Sequence, residues 1–313
     1  MEQLITLQAG ECDAGRRLDQ VIAAKCMDLS RSYIQKLIKE ENCVSVNGNF
    51  GIKTKYPVSF GDEICIRLPA PRSLEIEPQN IPLDILYEDD DILVINKPKG
   101  LVVHPANGHY SDTLVNAVLY HCGNRLSGIN GVLRPGIVHR IDKDTTGSLV
   151  VCKNDSAHLC LSQQFRAHTI NRTYHAIVYN NFSGEEGTID KPIGRHPIDR
   201  KKRKVVPETG KRAVTHYRVL DHLNNKFNYI ECRLETGRTH QIRVHMAHIG
   251  HPLLGDAIYG PDNRKFKDLQ GQTLHAKTLG FVHPTSEEYM EFDAPLPAYF
   301  ENLLKTLGNT HEK

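Results

Sequence analysis

From residue 82 onward, apolar and polar positions alternate in short stretches that read mostly as strands. Tyr174 to Tyr179 alternates in this way, and so does Tyr229-Ile230-Glu231-Cys232-Arg233-Leu234, which stops at Glu235-Thr236-Gly237. Asp91 to Asn96 is a continuous apolar strand ended by Lys97-Pro98-Lys99-Gly100, and Leu149-Val150-Val151-Cys152 is another strand. Helical spacing is clearest in Ser111 to His121 and Asn154 to His168. Strands outnumber helices without a regular βαβ alternation, so the pattern predicts an α+β domain on a mainly antiparallel mixed sheet.

The first part of the chain has a different rhythm. Leu18 to Ala24 and Ser30 to Lys39 show helical spacing, with Ser30 as N-cap and Tyr33, Ile34, Leu37 and Ile38 on one apolar face. Val44-Ser45-Val46 then enters an Asn47-Gly48 turn, and Glu63 to Leu68 makes a last strand. Pro69, Pro71, Pro78 and Pro82 interrupt any helix or central strand between the two parts. The predicted organisation is a small α/β module over residues 1–75 and a larger domain over 82–308.

Composition narrows the class. Hydrophobic residues make up 39% and charged residues 24%, ordinary for a globular enzyme. A net charge of +2 does not by itself indicate nucleic acid, but Arg200-Lys201-Lys202-Arg203-Lys204 is a dense basic run, and Arg16, Arg17 and Arg31 begin a second patch. Eight cysteines are scattered without a Cys-x-x-Cys pair, which argues against a disulfide framework and for a reducing cytoplasm. No apolar run nears the ~18 residues of a membrane span.

The chemistry concentrates in residues 139–147, His-Arg-Ile-Asp-Lys-Asp-Thr-Thr-Gly. Asp142 and Asp144 stand beside Arg140 and Lys143, a setting that favours charged carboxylates. Such an Asp can attack an electrophilic carbon or phosphorus, or hold a metal. Asp142-x-Asp144-x-Thr146 fits the nucleophile motif of aspartate-dependent phosphatases, with Gly255-Asp256 and Asp262 as later magnesium carboxylates. Against that reading, His139-Arg140 breaks the apolar strand those enzymes place before the first Asp. His-Arg-x-Asp of protein kinases lacks its companion glycine loop, strand lysine and Asp-Phe-Gly. A phosphorylated-Asp pump would need membrane spans.

A second cluster fills residues 235–256. Gly237-Arg238 follows a strand, so Arg238 is placed at a sheet edge, able to pair with a carboxylate or phosphate. Arg243, His245 and His248 continue on a helix. His245 and His248 share a helical spacing, but no Cys or His-Glu-x-x-His accompanies them, so no metal site is assigned.

Taken together, these motifs resemble the RluA/RluD family of RNA pseudouridine synthases. The resemblance rests on His139 to Gly147, Arg172-Thr173-Tyr174, Thr236-Gly237-Arg238-Thr239-His240-Gln241-Ile242-Arg243-Val244-His245, His275-Ala276-Lys277, and Lys97-Pro98-Lys99-Gly100-Leu101 with His104-Pro105. Arg17-Leu18-Asp19, Ser30-Arg31, Ile34 to Ile38 and Val46-Asn47-Gly48 are similar to the family's S4-like RNA-binding module. The likeness runs in order along nearly the whole chain. It implies Asp142 as the catalytic aspartate, Tyr174 as the residue stacking on the target uracil, and Arg238, ahead of Arg243, as the arginine pairing with that aspartate. Arg140 would fill the gap left by the departing base, with His139, Arg16, Arg17, Arg31, Lys36, Lys201 and Lys202 as further RNA contacts. The family isomerises uridine without cofactor or metal. The implied partner is ribosomal RNA or a precursor of the large subunit; oligomeric state is not readable from the sequence, and a monomer is the default. The alternative is an RNA-binding ribosome-assembly protein without chemistry. The sequence departs from the family at Arg203-Lys204, where Met-Ala is common, and at Glu41-Asn42-Cys43, where a shorter glycine turn is usual.

Overall fold

The computed structural model describes residues 3–26, 29, 31–39, 43–68, 76–105, 110–123, 125–128, 135–199, 202–262 and 264–308. The chain divides into two compact units, Met1–Leu74 and Glu75–Lys313.

In the first unit, strand β1 (Gln3–Gln8) is followed by helices α1 (Leu18–Lys25) and α2 (Arg31–Lys39) and strands β2 (Val44–Val46) and β3 (Glu63–Leu68). The strands form an antiparallel sheet in the order β1-β3-β2. Ile34, Leu37 and Ile38 of α2 are buried against Leu18, Val21 and Ile22 of α1, Val44 and Val46 of β2, and Ile64 and Ile66 of β3. Three residues of the expected apolar face therefore join the core, while the side chain of the fourth, Tyr33, and the expected cap Ser30 lie outside what is described. After β2, Asn47 and Gly48 both take positive φ, 50° and 77°, and Val46 and Asn49 exchange backbone hydrogen bonds. That is the two-residue turn an Asn-Gly pair is suited to. Strand β1 had no counterpart in the sequence reading.

The second unit carries strands β4 (Ile85–Glu88), β5 (Ile92–Lys97), β6 (Thr146–Cys152), β7 (Asn171–Tyr179), β8 (Glu186–Asp190), β9 (Ile193–Arg195), β10 (Arg203–Val205), β11 (Val214–Leu223), β12 (Phe227–Leu234), β13 (Leu274–Val282) and β14 (Tyr289–Asp293). Its helices are α3 (Leu114–Cys122), α4 (Asp155–Ala167), α5 (Gln241–His248) and α6 (Ala298–Gly308). The main sheet runs β4-β5-β6-β13-β7-β12-β11-β8, with β14 also paired to β13. Only β6 and β13 pair in parallel among the described strands, so the sheet is mixed and mainly antiparallel, as expected of the α+β class.

Strand β5 reads as an unbroken apolar run because both its faces are covered. Leu93 and Ile95 join the core beneath α3 and α5, while Ile92 and Val94 pack with Ala157 and Leu161 of α4. Helix α4 starts where its sequence says it should, since the Asn154 side chain accepts a hydrogen bond from the Ala157 N–H at 2.9 Å. Helix α3 begins three residues later than the spacing suggested. Thr113 caps it, through a reciprocal pair of contacts with Asn116.

Candidate active site

The nonapeptide 139–147 forms the loop that enters β6. Gly147 has φ 105°, and a β-carbon there would run into the Ala276 carbonyl of the parallel neighbour β13. Glycine lets the two strands close at that point. The loop is also tied from below. Lys97 is fully buried at the end of β5, and its ammonium donates to the carbonyls of Pro98 (2.7 Å), Leu101 (2.9 Å) and Lys143 (2.9 Å). Burial pushes its pKa down to about 7, against the pull of Asp144 and Asp142. The lysine of the Lys-Pro-Lys-Gly motif is thus an anchor for the residue that follows Asp142.

Above this anchor lies a cavity of about 550 Å³, lined by Arg140, Asp142, Arg172, Tyr174, Arg238 and Arg243 among others. That volume lies within the usual range of small-ligand clefts. Asp142 Oδ2 accepts a hydrogen bond from Arg243 Nη1 at 2.9 Å. The other edge of the same guanidinium forks onto Asp256, with Nε to Oδ2 at 2.7 Å and Nη2 to Oδ1 at 2.9 Å. Asp256 is itself fixed by the backbone N–H groups of Ile258 and Tyr259. Two carboxylates hold the Arg243 pKa above its ordinary value although burial opposes them. Arg243 is therefore a rigid bracket, locked by one acid and aimed at the other.

His240 completes this corner. It sits in the left-handed region at the start of α5, with φ 59°, and its Nε2 lies 3.8 Å from Asp142 Oδ2. Its Nδ1 is 2.8 Å from the Tyr259 hydroxyl, whose oxygen accepts the Arg203 backbone N–H at 2.8 Å. The Tyr259 proton can then go to Nδ1, an arrangement that leaves an Nε2–H facing Asp142. Burial lowers the His240 pKa, so the neutral ring is favoured.

The expected partner of Asp142 needs correcting. Arg238 lines the same cavity, but its Nε donates to the Arg212 carbonyl at 3.0 Å, and its backbone N–H is taken by Gln241 Oε1. It precedes α5, on the cavity wall, whereas Arg243 is carried by the helix itself and reaches Asp142. Sequence spacing alone does not separate them.

Other expected contacts divide. Tyr174 is buried in the cavity lining, and burial raises its phenol pKa, which suits a neutral stacking face better than a proton acceptor. Arg140 is exposed at the cavity and its Nη1 lies 3.3 Å from His104 Nε2. His139 lines the cavity too, but Phe165 stacks on its ring at 4.6 Å and its Nε2 accepts the Val150 N–H at 3.0 Å. Burial drives its pKa down to about 3, so it is a neutral support for the loop rather than a cation for RNA.

In the first unit, Arg17, expected as an RNA contact, forks onto buried Asp19 at 2.9 and 3.0 Å. Arg16 is exposed, 3.6 Å from Asp13. Arg31 and Lys36 fall on α2. Lys202 lies just before β10, at the base of the basic run, while Lys201 lies outside the described residues. Both ring nitrogens of His245 are engaged, by Thr215 and by the Lys191 carbonyl.

Comparison with known proteins decides the family. A model described as RNA pseudouridylate synthase matches residues 91–248, a span that holds Asp142, Tyr174, Arg238 and Arg243. The chain belongs to the RNA pseudouridine synthases. It is 50% identical over 303 residues to the uncharacterized RNA pseudouridine synthase YlyB of Bacillus subtilis (strain 168), covering 97% of this chain and 98% of that one. It is 49% identical over 301 residues to the ribosomal large subunit pseudouridine synthase D of Zymomonas mobilis, covering 94% of each chain. The protein of the same name in Escherichia coli O157:H7 is 42% identical over 320 residues, 99% and 96% of the two chains. Among solved structures, human RNA Pseudouridylate Synthase Domain Containing 4 superposes with a TM-score of 0.55 at 27% identity, over 72% of this chain and 92% of that one. The protein is thus an RluA/RluD-type synthase, an isomerase that acts on RNA.

Tyr259 and Arg172 entered none of the expected site roles. Asp256 was visible only as a magnesium ligand in the phosphatase reading, and its actual use, gripping Arg243, defines the bracket. Among the described residues no helix is long and apolar enough to cross a membrane.

Proposed function

We propose that this synthase isomerises uridines of large-subunit ribosomal RNA, with Asp142 as its catalytic carboxylate. The observation that carries the reading is the Asp142–Arg243–Asp256 chain at a cavity walled by Tyr174. The substrate class is the one in the names of two relatives that match nearly end to end. Conversion of uridine to pseudouridine breaks the N1–C1′ bond, turns the base and joins C5 to C1′, with one proton leaving C5 and one arriving at N1. No atom is gained and no electron is lost overall. A carboxylate held against a fixed guanidinium can bond to the sugar carbon, add to the ring or take a sugar proton.

Tyr174 supplies a stacking face worth roughly 1–3 kcal/mol for the extruded base. Taking that base from its helix costs a few kcal/mol, which Arg140 offsets by entering the vacated space. The unit over residues 1–74 acts as an S4-like RNA-binding module, and the enzyme works in the cytoplasm on ribosomal RNA or a precursor subunit.

The test is base-resolution mapping of pseudouridine in ribosomal RNA from cells with and without the gene, complemented by the wild type or by Asp142→Asn. We expect specific sites to vanish without the gene and to return with the wild type only, while the Asp142→Asn protein still binds RNA. Restoration by the mutant would remove Asp142 from its role; unchanged ribosomal RNA in the deletion strain would remove the substrate.

A further inference from the structure

Among the described residues the cavity is lined by five arginines, Arg140, Arg166, Arg172, Arg238 and Arg243, and by a single carboxylate, Asp142. Four of them have evident settings. Arg243 is matched by two acids, Arg140 and Arg166 are exposed, and half-buried Arg238 is held by the Arg212 carbonyl. Arg172 is different. It is 8% exposed, yet among the described residues no carboxylate pairs with it. Its Nε is buried without a hydrogen-bond partner among the described residues, Nη2 makes a long contact, 3.3 Å, to the Glu235 carbonyl, and the guanidinium carbon lies 5.8 Å from the Phe165 ring centre, which offers no counter-charge.

Burial lowers the Arg172 pKa, the opposite of what the two acids do for Arg243. A buried guanidinium without a counter-charge is unfavourable unless something else supplies the negative charge. The fold makes room for it nonetheless. A β-carbon on Gly237 would stand 2.6 Å from Arg172 Nη1, so glycine at 237 is what gives that end of the guanidinium its space beside the cavity.

Arg172 and Tyr174 are two apart on β7, so both side chains leave the same face of the sheet. A base stacked on Tyr174 therefore lies within a side chain's reach of the Arg172 Nη end. We propose that Arg172 is a catalytic anion site that receives a carbonyl oxygen of the target uracil as its bond to the sugar breaks. The proposal rests on the cavity taking the target uridine, as read above.

When N1–C1′ breaks, the bonding pair leaves with the base and spreads over N1, O2 and O4. The electron deficiency stays at C1′, where Asp142 meets it by bonding or by removing a sugar proton. The pair returns when C5 bonds C1′, as the Asp142–C1′ bond breaks with its electrons going back to the carboxylate or as the sugar proton is returned; C5 then gives up its proton and N1 gains one. A guanidinium already desolvated and fixed stabilises the charged base without reorganising at that moment. A backbone phosphate is the other anionic oxygen the RNA brings, but exposed Arg140 and Arg166 are better placed for it than a residue this deeply buried.

The experiment measures single-turnover rate at saturating RNA, and affinity against salt, on an RNA the wild type modifies. Failure of the substrate assignment would show as absence of turnover by the wild type, and failure of the anion site as unchanged kinetics in the variants. Arg172→Met should lower the saturating rate by about a hundredfold or more while affinity and salt slope stay near wild type. Arg172→Lys should recover part of that rate. Gly237→Ala, which displaces the guanidinium without removing its charge, should reproduce the loss if Arg172→Met fails to fold. A weaker affinity with a salt slope reduced by about one and an unchanged rate would place a phosphate there and overturn the assignment. Unchanged rate and affinity in Arg172→Met or Gly237→Ala would remove the anion site.

Discussion

Each unit of the molecule contains an arginine forked onto a buried aspartate, and the two forks end differently. In the first unit Arg17 grips Asp19, which also accepts Gln35 Nε2 at 2.7 Å. The Arg17 side chain is 36% exposed and its acid is wholly buried, so the pair closes on itself as a tie between the start of α1 and α2. In the second unit Arg243 is 6% exposed at its side chain, and after gripping Asp256 it still has Nη1 for Asp142. The same bidentate geometry gives a knot in one place and a directed bracket in the other. Both forks leave Nη1 over, and what separates them is a second carboxylate on a cavity wall to receive it.

Three substitutions sharpen this contrast. The largest effect is expected from Asp256→Asn, which keeps the volume and removes the charge behind the bracket. The saturating rate of pseudouridine formation should fall about a hundredfold, and stability by about 3 kcal/mol, because a buried guanidinium loses its main partner. Denaturant unfolding and single-turnover kinetics measure the two; a loss of stability with full activity would show that the fork does not aim Arg243. Next comes Arg238→Gln. With its Nε on the Arg212 carbonyl, Arg238 should affect RNA affinity and its salt slope, leaving the saturating rate near wild type. A collapse in rate at saturating RNA would restore Arg238 as the partner of Asp142. The smallest effect on chemistry belongs to Asp19→Asn, which should cost about 2 kcal/mol of local stability and leave the saturating rate unchanged. A slower chemical step there would show that the first unit's knot reaches the active site.

Much of the fold was legible because its signals are local. Asn154 caps α4 with its own side chain, Asn47-Gly48 turns by the positive φ both residues tolerate, and β5 and β6 announce themselves by continuous apolar runs. Strands β1, β4, β8, β9, β10, β11, β13 and β14 and helix α6 drew no prediction of their own. In β11 the run Val214–Leu223 carries Arg218, Asp221 and His222 on faces its neighbours leave open, which dilutes the apolar pattern. In the site, the loop around Asp142 and the strand position of Tyr174 followed from motif and alternation. His139 did not behave as a basic residue because a backbone N–H and the Phe165 ring occupy it.

The chain's own order of residues determined the family, the carboxylate-bearing loop and the strands that frame it, since these depend on neighbours a few positions apart. Which arginine meets Asp142, which acid grips that arginine, and which guanidinium is left without a carboxylate among the described residues were decided only by tertiary structure. Asp142 and Arg243 are 101 positions apart, and Arg238 and Arg243 differ by little more than one helical turn in sequence. Hydrogen bonds act over about 3 Å, and no spacing along the chain reports which of two nearby donors the packed helix will carry to that distance.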